Sequence, residues 1–226
     1  MANDATSEMR RFRAAVGAVV VFTGLLWAIH GVSLVTDSHL AVLGIRPREI
    51  GGLIGVVTAP LVHGSVSHLF SNTLPLLVLG TALLFGSPRA ARIVLPLVWL
   101  GSGLAVWLFA RDAIHIGASG LAYGMMTFVF VAGVLRRDKR SIALTLLVFF
   151  LHGSMIWGVL PLRAGVSFES HLAGAVIGVA LAFALRERDA PRGRARKYAW
   201  EGQAIDEEHP AAELFMDGER NTRDRD

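Results

Sequence analysis

"HIGASGLAYGMMTFVFVAGVL", residues 115–135, decides how this chain folds. Its first third is small and polar. Its remainder is an uncharged apolar run long enough to approach the thickness of a bilayer's hydrocarbon core. Ser119 stands where the two parts meet. It is either a small residue easing helix packing or a nucleophile set where water is scarce. The stretches around it decide between these readings.

The chain has 226 residues, 53% of them hydrophobic, and a positive mean hydropathy of +0.51. A soluble domain of this length carries less apolar surface. The apolar residues fall in blocks between Ala14 and Leu185, and the chain is polar from Arg186 onward. This pattern predicts an all-α membrane protein with a soluble tail. The expected division is a cytoplasmic segment 1–13, a helical domain 14–186, and a polar, disordered cytoplasmic tail 187–226. The N-terminal stretch is basic and then apolar, like a signal peptide. Its apolar part is a full span long and lacks a small-residue cleavage site, so it reads as an uncleaved first helix.

Six spans follow from the apolar runs: Ala14–Val35, Val66–Phe85, Ala91–Ala110, Ser119–Leu135, Ile142–Leu160 and Ser170–Leu185. With the N-terminus in the cytoplasm, all but four of the 22 Lys and Arg lie on the inner side. The exceptions are Arg46, Arg48, Arg111 and Arg163. The positive-inside rule therefore places both termini in the cytoplasm. The expected location is a bacterial-type plasma membrane, with the lipid bilayer as surroundings. The net charge of +4 sits at span flanks and implies no nucleic-acid partner.

There is no cysteine, which excludes disulfides, thiolate metal sites and a cysteine nucleophile. The eight His are too scattered for a metal motif, so no metal or cofactor is expected.

Polar groups inside a bilayer are costly and call for a reason. Spans two, four and six all enter from the outer side, so their first turns share one layer. That layer holds His68 and Asn72, four apart on one helix face, with His63 just above, then Ser119, then His171. A serine hydroxyl becomes a nucleophile when a histidine takes its proton. His68, Asn72 and the Ser119 N–H can donate to an oxyanion. No acidic third member stands at this depth, so a Ser119–His171 dyad is expected, with Glu169 an outlying candidate for influencing His171. Gly174 and Gly178 form a small-residue face that lets helices approach closely. Tyr123, one turn below Ser119, is placed to pack on the His171 ring. His30, His39, His115, His152 and His209 read as structural or solvated.

In this order and spacing the motifs resemble those of the rhomboid intramembrane serine proteases. The matching groups are His63, His68 and Asn72; Gly117, Ser119 and Gly120 with Tyr123; and His171, Gly174 and Gly178. The resemblance covers all six spans. It implies a six-helix bundle cleaving transmembrane segments of membrane proteins near the outer leaflet, on the extracytoplasmic side. It gives Ser119 the nucleophile's role, His171 the base's, His68, Asn72 and the Ser119 N–H the oxyanion hole, and His63 support of a polar cavity. Substrate entry is implied near Phe149–Trp157, with a cap at Pro161–Glu169. Two departures stand out: the first outer loop has no Trp-Arg pair, and Ala59 stands where some members have a further His.

Two other functions fit a six-span protein. A silent rhomboid-like protein would bind transmembrane helices without cutting them; such relatives usually lack the serine or the histidine. A transporter would use the polar layer for a solute, but mid-membrane charges and an inverted repeat are missing.

Overall fold

The computed structural model describes residues 2–137, 139–162 and 165–189. The tail beyond residue 189, with His209, and the loop position Arg163 lie outside them.

Six long helices make the fold, as the apolar runs predict. They are Ala2–Val35, Val66–Gly86, Pro88–Phe109, Ser119–Arg136, Lys139–His152 and Phe168–Leu185, numbered first to sixth below. Six segments of the structure are long and apolar enough to cross a membrane. The protein is thus an all-helical integral membrane protein. Two elements differ from the expected spans. The first helix starts at Ala2 rather than Ala14, because the polar segment ahead of the apolar run continues the same helical ladder. The fifth is regular only to His152 and then tightens to a 3₁₀ helix over Gly153–Val159. A 3₁₀ stretch turns its carbonyls differently from an α-helix, and two of them are used at the site described below.

The fourth helix is the centre of the bundle. About 61% of its span is buried, against 17–39% for the others. It can be central because its own surface is small. A Cβ at Gly174 would run into the Gly120 carbonyl, and one at Gly178 into Gly124 and Thr127. The fourth and sixth helices therefore meet backbone to backbone, and Thr127 Oγ1 donates across the seam to the Ala175 carbonyl at 3.0 Å. In lipid, such close packing and interhelical hydrogen bonds drive association where the hydrophobic effect cannot.

The segment between the first two helices folds into short turns, Leu40–Leu43, Ile50–Ile54, Gly55–Thr58 and Ala59–Leu61. It is docked on the third helix: the indoles of Trp99 and Trp107 donate to the carbonyls of Val57 and Glu49, and the Arg48 guanidinium donates to Ala110 O. Ile50, Ile54 and Val57 remain exposed on its outer side, which suits a segment lying at the edge of the hydrocarbon.

At the opposite end of the bundle, Asp189 caps the third helix. Its carboxylate accepts from Arg89 N–H at 3.1 Å and Ala90 N–H at 2.7 Å. These are two of the donors that a helix start leaves without partners. Asp189→Ala is expected to cost about 1 kcal/mol, lowering the midpoint of thermal unfolding by about 2–4 °C, with an unchanged active-site structure.

Candidate active site

The second, fourth and sixth helices begin at the same end of the bundle, because successive helices alternate in direction. Each start is built to carry a polar side chain. Ser65 caps the second helix, its hydroxyl accepting from His68 N–H at 3.1 Å. Ser167 caps the sixth in the same way, accepting from Ser170 N–H at 3.4 Å. Ser119 is the first residue of the fourth. Its N–H has no acceptor within its own helix.

The structure brings Ser119 and His171 together. His171 Nε2 lies 2.9 Å from Ser119 Oγ. The other ring nitrogen, Nδ1, lies 2.8 Å from the Gly158 carbonyl. A carbonyl only accepts, so Nδ1 carries the proton. That fixes the neutral tautomer with its lone pair on Nε2, aimed at the serine hydroxyl. The Gly158 carbonyl holds the imidazole where a carboxylate would in a triad. Glu169 does not reach the ring: its carboxylate turns to Arg111 instead. No letter of the sequence marks a backbone carbonyl, so this partner was not legible. Gly158 itself was a weak signal, since a Cβ there would collide with the Tyr123 hydroxyl.

Tyr123 stacks on His171 with ring centroids 4.2 Å apart and planes 7° from parallel. Its hydroxyl donates to the Met155 carbonyl at 2.6 Å. The imidazole is thus held in plane by a ring and along its edge by a carbonyl. Both carbonyls come from the 3₁₀ segment. Tyr123→Phe keeps the stack and loses the Met155 bond, so its expected effect on turnover is under about tenfold. Tyr123→Ala removes both and should cost on the order of a hundredfold, read as kcat on a transmembrane substrate.

Gly117 is required twice. Its φ is +107°, in the left-handed region that disfavours a side chain. A Cβ there would also stand 2.7 Å from His68 Nε2. The His68 ring therefore lies against the segment leading into Ser119. Asn72 is buried and donates one amide hydrogen to the His68 carbonyl at 3.0 Å, keeping the second N–H. His63 packs edge-on against His68, centroids 5.1 Å apart.

His63, ahead of the second helix, is buried. Burial first, then the neighbouring His68 and His30 rings, push its pKa down to about 4, with the Leu61 backbone pulling weakly the other way. The ring is neutral at pH 7. The unfolded chain binds this proton near pH 6.5 and the folded one near 4, so stability is complete above about 6.5 and falls as pH drops toward 4. The difference corresponds to roughly 3 kcal/mol. Thermal unfolding followed from pH 7.5 to 4 should show this decline, and His63→Gln should flatten it. His30, which reads from the sequence as structural or solvated, is buried and acts on His63 electrostatically. Among the described residues, no three His, Asp or Glu side chains gather as metal ligands.

Fold and site together define a membrane-embedded helical bundle with a serine and a neutral histidine paired at the starts of two touching helices. The chain belongs to the rhomboid family: the family model described as the Rhomboid domain matches residues 51–188. Uncharacterised proteins of Mycobacterium bovis and Mycobacterium tuberculosis are 36% identical over 202 residues, spanning 84% of this chain and 83% of theirs. RHOMBOID-like protein 4 of Arabidopsis thaliana is 33% identical over 130 residues, 55% of this chain and 32% of its own length. Membership supports intramembrane protease-type function at the level of the family.

Proposed function

We propose that the protein is an intramembrane serine endopeptidase working through a Ser119–His171 dyad. The observation that carries this reading is the 2.9 Å contact between His171 Nε2 and Ser119 Oγ, with Nδ1 committed to Gly158 O. His171 takes the hydroxyl proton at Nε2 as Ser119 Oγ attacks a peptide carbonyl. The oxyanion is received by the Ser119 N–H, the free amide hydrogen of Asn72 and the His68 ring, donors of the kind that contribute about 10²–10³-fold each. His171 then returns the proton to the departing amine, leaving an acyl-enzyme. Water, deprotonated by the same nitrogen, releases the acid and restores the hydroxyl.

A transmembrane helix hides its carbonyls in its own hydrogen bonds. Substrates with small or helix-weakening residues near the scissile bond are therefore favoured. The domain is residues 14–186, with both termini cytoplasmic and the site opening extracytoplasmically; this orientation rests on the cations Arg89, Arg92 and Arg136 at the end away from the dyad. The test is cleavage in proteoliposomes. Model transmembrane segments with a Gly-Ala pair near the outer surface should be cut there, and Leu-only segments should not. Binding of both segments without cleavage of either would establish the silent, helix-binding relative instead.

A further inference from the structure

We propose that His115, assisted by Arg111, is a positioning residue that clasps the segment Val166–Ser170 and thereby sets His171 against Ser119. This rests on the proposed protease reading. The segment is the approach to the sixth helix. His115 is buried, 2% exposed, and rigidly seated: its N–H and carbonyl pair with Ile45, each at 2.9 Å. Two residues on, Gly117 N–H is held by the Ala59 carbonyl.

The ring makes two bonds. Nε2 lies 3.1 Å from the Arg111 carbonyl, which only accepts, so Nε2 carries the proton. Nδ1 then accepts from Ser167 Oγ at 2.6 Å. Ser167 Oγ in turn accepts from Ser170 Oγ at 2.7 Å. The direction of the whole chain, from Ser170 through Ser167 and His115 to Arg111, is fixed by one tautomer.

Ser167 is the residue through which this reaches the dyad. Its hydroxyl caps Ser170 N–H, and its carbonyl accepts from His171 N–H at 3.4 Å. Ser170 O packs over Gly120, beside Ser119. His115 is four residues before Ser119, and Ser170 is one before His171. One polar chain therefore ties together the starts of the two helices that carry the reacting side chains. Arg111 braces the outer side: Nη2 donates to Val166 O at 2.6 Å, and the guanidinium sits 5.3 Å from the centre of the Phe168 ring. Its ion pair with Glu169, at 3.5 Å on a side chain 44% exposed, adds little by itself. The part-buried His115–Ser167 bond is the member that decides.

The test compares His115→Phe, which keeps the ring's shape without its bonds, with His115→Asn, whose amide oxygen stands near Nδ1 and still accepts from Ser167. Cleavage in proteoliposomes should show kcat lowered on the order of tenfold to a hundredfold for His115→Phe, with KM within about twofold. His115→Asn should recover most of it. Ser167→Ala attacks the same bond from the other side and should resemble His115→Phe. Amide hydrogen exchange at Ser170 and His171 should accelerate in His115→Phe and Ser167→Ala and stay near wild type in His115→Asn. The clasp is overturned if His115→Phe keeps both wild-type kcat and wild-type exchange, or if His115→Asn loses as much as His115→Phe. If the wild type cuts no transmembrane segment, the protease reading fails, and the exchange rates alone still decide the clasp.

Discussion

Ser119→Ala is expected to abolish cleavage, lowering turnover on the order of 10⁴-fold or more, and His171→Ala to do nearly the same. The two losses should not add. Once the hydroxyl is gone, a base has nothing to activate; once the base is gone, the hydroxyl is an alcohol at neutral pH. The double variant should therefore match either single one. The physical ground is the contact itself: Nε2 of the neutral ring stands 2.9 Å from Oγ, and its partner nitrogen is held by Gly158. Ser119→Ala removes a single oxygen at a helix start and should keep wild-type thermal unfolding, which separates lost chemistry from lost fold; His171→Ala also loses the Tyr123 stack and the Gly158 bond and should unfold somewhat earlier. A Ser119→Ala protein that still cuts a transmembrane segment at the same bond would remove the dyad from the mechanism.

Gly174→Ala carries the second large effect, and it arises far from any reacting atom. A single methyl there meets the Gly120 carbonyl, a backbone group that cannot rotate away. The sixth helix must move off the fourth, and it carries His171 one turn earlier. Overpacking of this kind costs about 1–3 kcal/mol, while a displacement near 1 Å costs about a hundredfold in rate. Stability and turnover should thus fall together, whereas Ser119→Ala loses turnover alone. Val98→Ala, next to Gly124 in the same core, tests the distinction. It opens space instead of closing it and should lower stability with a smaller effect on kcat.

Much of this was legible because membranes impose simple rules. The apolar runs predicted the helix starting at Ser119 and the one ending at Leu185. The alternation of helix direction placed His68, Asn72, Ser119 and His171 at one end before any contact was known. Gly174 and Gly178 announced the close seam, and Tyr123 its stack, through spacing alone. What escaped the sequence is what side-chain letters do not encode. The carbonyls of Met155 and Gly158 hold the tyrosine and the base only because the fifth span tightens after His152; His152, Gly153 and Ser154 interrupt the apolar run there, but they do not say which carbonyls turn toward the site. From the sequence His115 reads as structural or solvated, although it stands four residues before Ser119. Its partner, Ser167, lies 52 residues away, and only the fold brings them together.

The central claim, that Ser119 is a nucleophile activated by His171, is tested most directly by phosphonylation. A fluorophosphonate is attacked at phosphorus by an activated serine oxygen; fluoride leaves and a stable adduct remains. The membrane-embedded protein is treated with the probe, digested, and the adduct located by mass. One adduct is expected, on Ser119, formed by the wild type and by Asp189→Ala but not by His171→Ala. Equal labelling of Ser119 with and without His171, or an adduct on another serine that persists in Ser119→Ala, would contradict it.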